Sequence, residues 1–195
     1  LGKNGSIVFS AVISERKKTT RTGDHNLDIY GDNFAYDFAD DPAGARAADD
    51  ALIAANGLSR DDFRFQIGDA QIRNQQFFLN AETELADRLK LYTFGGVSLR
   101  QGEGFGFRRL PSEVPSDTRS IFPHGFQPVL KSNVNDYSNS TGLRYKTLSD
   151  WNIDLSNTFG FNEFKYNVDN TVNYSLGADS PTSFYAGKHS FLQNT

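Results

Sequence analysis

The sequence predicts an all-β protein made of antiparallel hairpins, for two reasons. Apolar and polar residues alternate on both sides of two short polar turns, at residues 86–88 and 148–150. Along the chain, these short turns alternate with much longer connections. Because successive side chains of a strand point to opposite faces, such alternation indicates strands with one apolar and one polar face. We therefore expect a sheet whose two faces differ in polarity.

The first hairpin, over residues 75–100, gives the clearest pattern. Its incoming strand has one apolar face and one polar face, and the polar face holds Asn80, Glu82 and Glu84. On the outgoing strand, Lys90 lies on the polar side. Each strand has about 10 residues or more, near the length that crosses a bilayer when tilted. The pattern leaves open whether the apolar face packs on protein or meets lipid.

The second hairpin, over residues 135–168, repeats this arrangement around its own turn. Arg144 and Lys146 share one face of the incoming strand, and Asn152 and Asp154 share one face of the outgoing strand. The opposite faces are mainly aliphatic and aromatic. Two hairpins of the same design predict one continuous two-faced sheet.

A further strand is predicted over residues 5–14, which are β-branched and aromatic. The first long connection contains a predicted short helix. Asp41 is suited to its N-cap, Pro42 to its first helical position and Gly57 to its end. We expect long connections over three ranges, at about residues 22–69, 101–134 and 169–188.

Composition narrows the class of protein. The chain has 195 residues, of which 37% are hydrophobic and 13% aromatic, and its mean hydropathy is -0.53. A net charge of -4 argues against a nucleic-acid binder. The chain lacks cysteine, which excludes disulfides and thiolate chemistry, and it has no apolar run long enough for a transmembrane helix. Such a composition suits a soluble β-protein or an outer-membrane barrel with a polar lumen.

No group of residues predicts catalysis. The glycines of residues 102–106 do not lead into the helix start that a phosphate loop requires. Residues 150–161 lack the glycine and glutamate of a calcium loop. The three histidines, His25, His124 and His189, do not have the spacing of a zinc site. We expect no enzymatic activity, no metal and no cofactor.

Aromatic residues in two long loops are candidate ligand contacts. Rings beside Asn, Asp and Arg suit sugars and chelated ligands, because the rings stack and the polar groups form hydrogen bonds. The alternative is that these residues pack the loops against one another. The candidates are Tyr30, Phe34 and Tyr36 in the first loop, and Phe105, Phe107, Arg108 and Arg109 in the second.

Five segments carry a resemblance to a known family. They are residues 5–23 (GSIVFSAVISERKKTTRTG), 75–109 (QQFFLNAETELADRLKLYTFGGVSLRQGEGFGFRR), 121–130 (IFPHGFQPVL), 142–177 (GLRYKTLSDWNIDLSNTFGFNEFKYNVDNTVNYSLG) and 180–195 (SPTSFYAGKHSFLQNT). Together they are similar to the early barrel strands of TonB-dependent outer-membrane receptors. The resemblance implies an antiparallel transmembrane β-barrel of roughly 22 strands with long extracellular loops.

The resemblance also implies a function and a location. Such receptors import a scarce nutrient, such as an iron chelate, cobalamin or an oligosaccharide, across the bacterial outer membrane by energy-coupled active transport. The chain begins without an initiator Met, and we expect residues 1–195 to be a partial barrel domain of a larger receptor. Its expected partners are outer-membrane lipid, a small-molecule or oligosaccharide ligand, and a plug domain and the TonB complex reached through other parts of the receptor.

This interpretation assigns the two faces of the sheet. The residues expected to face lipid are Ile7, Phe9, Phe77, Leu79, Leu89, Leu91, Leu143, Trp151, Ile153 and Leu155. The residues expected to face the lumen are Asn80, Glu82, Glu84, Lys90, Arg144, Lys146, Asn152 and Asp154. The alternative is a soluble carbohydrate-binding β-sandwich, whose apolar face would pack on a second sheet.

Overall fold

The structure, a computed structural model, describes residues 4–31 and 39–195. Over these residues, six strands form one antiparallel sheet in chain order, which confirms the all-β prediction. β1 and β6 are the edges, so the sheet is open and does not close into a barrel. The strands are β1 (Gly5–Arg16), β2 (Gln71–Ala86), β3 (Leu89–Phe105), β4 (Val129–Lys146), β5 (Asn152–Asp169) and β6 (Ser183–Asn194).

Short turns lie at one end of the sheet and long connections at the other. Asp87 and Arg88 join β2 to β3, and Arg88 adopts the positive φ of 66° that two-residue hairpins favour. The turn between β4 and β5 likewise has a positive φ of 66°, at Asp150. The long connections are loop 1 (residues 17–70), loop 2 (residues 106–128) and loop 3 (residues 170–182).

The strands are longer and loops 2 and 3 shorter than the sequence predicted. The connection expected over residues 101–134 covers only loop 2, because β3 continues to Phe105 and β4 begins at Val129. The added residues include Gly102, Gly104, Ser132 and Asn133, which favour loops, but pairing with a neighbouring strand overrides this weak preference. Phe105 therefore belongs to a strand end.

The first short turn also differs from the prediction, which placed Ala86 in the break. Ala86 pairs with Leu89, and a β-bulge between Glu84 and Ala86 leaves Leu85 without a cross-strand partner. An inserted residue of this kind shifts the alternation. Leu85 is therefore not a regular member of the apolar face.

The register defines two faces. The apolar face consists of the odd-numbered residues of β1, β3, β4 and β5 and of β2 up to Thr83, and the polar face consists of the even-numbered residues over the same stretch. One row across the apolar face contains Leu91, Leu143 and Leu155. The polar face is mixed in its middle, where Phe78 and Phe94 lie among small polar residues. Directly opposite residues thus agree in polarity over most of the sheet.

The buried hydrophobic core of the described residues lies in the loops, not on the sheet. Ile29, Ile53, Phe63 and Leu110 pack together, with Tyr30 and Leu58 against them. We call this assembly of loops 1 and 2 the loop layer. Three 3₁₀ helices support the loops, at Arg60–Phe63, Pro111–Glu113 and Tyr174–Asp179.

One α-helix, α1 (Pro42–Ala55), lies in loop 1 and confirms the predicted helix. Asp41 caps it by accepting a hydrogen bond from the Gly44 N–H at 3.0 Å. Gly57 follows the helix with a φ of 71°, which a residue without a Cβ adopts readily. The helix contributes Asp49 and Ile53 to the buried interior.

Shortening Ile53 should destabilise the loop layer far more than shortening its neighbour. Ile53 is 2% exposed and Leu52 is 53% exposed, although both lie on α1. Ile53→Ala should cost about 2–5 kcal/mol because it leaves a cavity. Leu52→Ala should change stability by about 0.5 kcal/mol or less. Amide hydrogen exchange across loop 1 measures both values, and equal losses would contradict this core.

Candidate functional site

A groove of about 640 Å³ opens where loop 1 crosses the ends of β3 and β4. Phe65, Phe105 and Phe107 line it with aromatic rings. Gly104 and Leu130, which also line it, pair with each other on the polar face of the sheet. The groove therefore adjoins the polar face at its loop end.

A smaller cleft of about 180 Å³ lies next to the groove and has both apolar and charged residues in its lining. Phe65 and Phe107 line both spaces, so the cleft and the groove are adjacent. The polar residues that line the cleft are His25, Arg108, Arg109 and Glu113. Together the two spaces offer an apolar surface beside a charged one.

Loop 2 is fixed by backbone and side-chain hydrogen bonds. Arg109 and Phe126 exchange two backbone hydrogen bonds, of 2.6 and 2.9 Å. Gln127 accepts from the Gln66 N–H at 2.9 Å and donates to the Gly106 carbonyl at 2.9 Å, which ties loop 2 to loop 1. These contacts bring residues distant in sequence to one site.

A buried carboxylate positions the other wall of the cleft. Asp49 accepts hydrogen bonds from the backbone N–H groups of Ile29 and Tyr30, at 3.1 and 3.0 Å, and from Arg60 at 3.1 Å. Arg60 also donates to the carbonyls of His25 and Leu27, both at 3.0 Å. The Asp49–Arg60 pair thus fixes the backbone that presents His25.

Burial shifts the pKa of several groups in the loop layer. Burial raises the pKa of Asp28, and the neighbouring charge of Asp49 adds to that rise. Burial lowers the pKa of His25, and Arg60 and Arg108 lower it further. Burial also lowers the pKa of Arg108. His25 is therefore neutral at pH 7, while an arginine stays charged.

Two buried atoms in the cleft lack hydrogen-bond partners. Nε2 of His25 and Nε of Arg108 have none among the described residues. The guanidinium of Arg108 lies over the ring of Phe63, with its Cζ 5.3 Å from the centroid. Buried polar atoms are usually paired, so these two add a desolvation cost to the folded loop layer.

Four of the predicted ligand contacts come together at this site. Phe105 and Phe107 line the groove, and Phe107, Arg108 and Arg109 line the cleft. Tyr30 instead packs inside the loop layer, with its hydroxyl 2.9 Å from Nδ1 of His124. Phe34 and Tyr36 lie outside the described residues.

The sequence analysis did not identify His25, Phe65 or Glu113 as site residues. They come from separate segments and meet Arg108 only through the folding of loops 1 and 2. No spacing rule connects positions so far apart in the chain. A single histidine in a loop does not indicate a binding site until its burial is known.

The eight residues expected to face a lumen share one face of the sheet. One row across that face contains Glu84, Lys90, Arg144 and Asp154. Arg144 lies 3.2 Å from Asp154, and Lys90 lies 3.9 Å from Glu84. Tyr92 donates to Asp154 at 2.7 Å. These exposed pairs each contribute little free energy, about 0–1 kcal/mol.

The opposite, apolar face changes character sharply along the strands. Apolar residues dominate from the short turns up to the row that contains Ala11, Phe77, Val97, Tyr137, Phe161 and Leu192. Two rows farther towards the long loops, every residue is polar, and that row contains Glu15, Arg73, Gln101, Asn133, Lys165 and Lys188. Trp151, predicted to face lipid from a strand, instead lies just before β5 and is exposed.

A small polar patch interrupts the apolar face, and the sequence analysis missed it. Asn139 donates to Thr93 at 3.0 Å and accepts from Thr141 at 3.0 Å. Asn157 donates to Asn194 at 2.7 Å. The patch therefore satisfies part of its own hydrogen-bonding capacity.

Neither metal ligands nor spanning helices occur in the described part of the chain. No group of three or more His, Cys, Asp or Glu residues there could hold a metal ion. Within the described ranges, residues 4–31 and 39–195, no helix is long and apolar enough to cross a membrane.

Comparison with protein-family models, with curated proteins and with solved structures found no match to this chain.

Acid should weaken the loop layer through His25. The pKa of His25 in the folded protein lies below its ordinary value of 6.5. When the pH falls below about 6.5, the histidine of the unfolded chain therefore binds a proton while that of the folded chain stays neutral, and this favours unfolding. This contribution to stability is complete above about pH 6.5 and is lost towards the folded pKa. Protection factors at the Ile53 amide, which are corrected for intrinsic exchange, measure it.

The control is His25→Phe, which removes the titrating group. Asp28 acts with the opposite sign, because its raised pKa lowers stability as the pH rises from about 3.8 through its folded value. The difference between the unmodified protein and His25→Phe isolates the histidine. Parallel curves for the two proteins from pH 7 to pH 5 would disprove its role.

Proposed function

We propose that the chain is part of a TonB-dependent receptor in the bacterial outer membrane, which imports a scarce nutrient by energy-coupled transport. The observation that carries the proposal is the exposed apolar face of a sheet whose other face is polar and charged. Leu155 is 74% exposed and Phe9 is 63% exposed. Soluble monomers rarely expose apolar patches beyond about a few hundred Å².

The height of the apolar band supports a lipid environment. From Leu89 to Val97 the face extends about 27 Å along β3, at about 3.4 Å per residue. A strand tilt of about 40° reduces this to roughly 21 Å, a few ångströms less than the apolar band of about 25 Å in outer-membrane barrels. Aromatic residues lie near both limits, with Tyr145 at the lower and Tyr137 at the upper, as in the girdles of such barrels.

The polar patch on the apolar face is compatible with this environment. An unpaired amide in hydrocarbon is costly, but the side chains of Asn139, Thr93 and Thr141 bond to one another. The charged residues two rows above the band lie where a strand would leave the hydrocarbon. Lys165 and Lys188 there pair with Glu163, at 2.7 and 3.5 Å.

The open edges of the sheet define what the proposal requires. In lipid, every backbone N–H and C=O must be paired, so β1 and β6 need further strands beside them. A closed barrel supplies those strands. The polar face would then line a lumen, in which Glu82, Lys146 and Asn152 could contact a plug domain.

The loop layer supports a role in ligand capture. All three long connections leave from the same end of the sheet, as expected for extracellular loops. The groove lies at the roots of loops 1 and 2, beside Gly104 and Leu130 of the polar face, and the cleft lies within the same two loops. A nutrient bound there would sit above the lumen.

Adjacent substitutions on opposite faces of β2 test the lipid assignment. Leu79 lies on the apolar face and Asn80 on the polar face. Leu79→Arg should cost about 1–3 kcal/mol of stability in lipid, because it places a charge inside the hydrocarbon, between its middle and its upper edge. Asn80→Arg, which faces the lumen, should cost much less. Urea unfolding of the full-length protein from phosphatidylcholine vesicles measures both.

Two results would overturn the proposal. Equal costs for the two variants would remove the distinction between lipid and lumen. Purification of the full-length protein as a soluble monomer without detergent would favour the alternative, a soluble β-sandwich that binds carbohydrate.

A further inference from the structure

Three exposed amide side chains lie within the apolar band, which comprises the rows from Leu89 to Val97, and all three are on neighbouring strands. They are Asn139 on β4, Asn157 on β5 and Asn194 on β6, and they belong to the polar patch. Over the same rows, the described apolar face of β1, β2 and β3 carries no amide and no charged side chain. Contact with lipid alone does not account for amides gathered on one side of the face.

Asn157 and Asn194 satisfy only part of their hydrogen-bonding capacity. Nδ2 of Asn157 donates to Oδ1 of Asn194 at 2.7 Å and to the Thr195 carbonyl at 3.2 Å. Among the described residues, none donates to Oδ1 of Asn157 and none accepts from Nδ2 of Asn194. One acceptor and one donor are therefore left open beside each other. In hydrocarbon, where no water can pair them, they cost free energy.

The open donor and the open acceptor match those of a second copy of the same chain. In a two-fold dimer the same surface of both copies meets, so each contact between two different residues occurs twice. Nδ2 of Asn194 in one copy would donate to Oδ1 of Asn157 in its partner, and the reverse bond would form equally. The two bonds would pair the atoms that each copy leaves open.

Apolar side chains surround the patch and are exposed. Leu155 and Leu192 lie on either side of it, and Phe159 lies between Asn139 and Asn194 in one row. Such a rim packs on lipid about as well as on protein, so it does not select between the two. In a membrane, side-chain hydrogen bonds and close packing hold partners together. The amides therefore favour a protein partner at this place.

We propose that the polar patch of β4, β5 and β6 is the contact between two copies of the receptor in the membrane. Asn157 and Asn194 form reciprocal hydrogen bonds across the two-fold axis, and the apolar rim packs around them. The inference rests on the proposed function, because it requires that this face of the sheet lies in lipid. It does not depend on the ligand or on the loop layer.

Cysteine cross-linking of the full-length protein in phosphatidylcholine vesicles tests this contact, with the unmodified protein as the blank. Phe159→Cys introduces a thiol between Asn139 and Asn194 without removing an amide. Phe9→Cys introduces a matched thiol in the same row, about 19 Å away across four strand spacings. With copper phenanthroline as the oxidant, we expect at least about tenfold more linked dimer from Phe159→Cys, because thiols held at one interface react at a high effective concentration.

Removing one amide separates the contact from folding. Asn157→Leu in the Phe159→Cys background should lower the yield of linked dimer about fivefold or more, because both reciprocal bonds need Oδ1 of Asn157. Leucine is favourable in hydrocarbon, so insertion should not suffer. Asn80→Leu in the same background removes an amide from the opposite face and should leave the yield unchanged. Urea unfolding from the same vesicles verifies that each variant is folded.

Three results would overturn the inference. Absence of linked dimer from Phe159→Cys, or equal yields from Phe159→Cys and Phe9→Cys, would exclude a specific contact. An unchanged yield with Asn157→Leu would exclude the reciprocal amide bonds. If Leu79→Arg costs more stability than Asn80→Arg while no dimer forms, this inference alone fails. Equal costs for those two variants would refute the proposed function whatever the cross-linking shows.

Discussion

The antiparallel register is the constraint on which the rest of the structure depends. Residues two apart share a face, so a slip of one residue would bring Asp154 onto the face of Leu155 and its row. The tight turn at Arg88 fixes the register of β2 against β3. The β-bulge accommodates Leu85 as an extra residue that has no cross-strand partner. The separation of the two faces and the grouping of all long loops at one end both follow from this pairing.

The sheet and the loop layer differ in how far they bury their own apolar side chains. Over the described residues, the sheet leaves its apolar side chains exposed and depends on surroundings beyond the chain. The loop layer buries its own core around Phe63 and Ile29, although a carboxylate lies inside it. Asp49 is tolerated there because two backbone N–H groups and Arg60 satisfy its oxygens. The same contacts fix the cleft, so the stability of the loop layer and the geometry of the site share one set of interactions.

Local signals account for what the sequence predicted correctly. Alternation located both hairpins, and the Asp41 cap with Pro42 located α1. Strand ends were less accurate, because pairing with a neighbour extended β3 through glycines that favour loops. The cleft was predicted only in part: Arg108 was identified from its aromatic neighbours, but His25 was not, since its burial depends on contacts over 80 residues apart in the chain. Such contacts leave no periodic trace in a single sequence.

The distribution of polar groups along the polar face bears on how a bound nutrient could leave the groove. Leu130 at the groove and Arg144 at the charged end lie on one strand, about 48 Å apart at about 3.4 Å per residue. Between them the polar face of β4 carries Ser132, Ser138 and Ser140, which hydrogen-bond without holding a charge, but also Asp136. Arg100 of β3 lies on the same face, directly opposite Val134. Under the proposed function, a nutrient released from the groove would therefore meet charges of both signs midway along the polar face, before it reached the paired charges of Lys90 and Arg144 near the short turns.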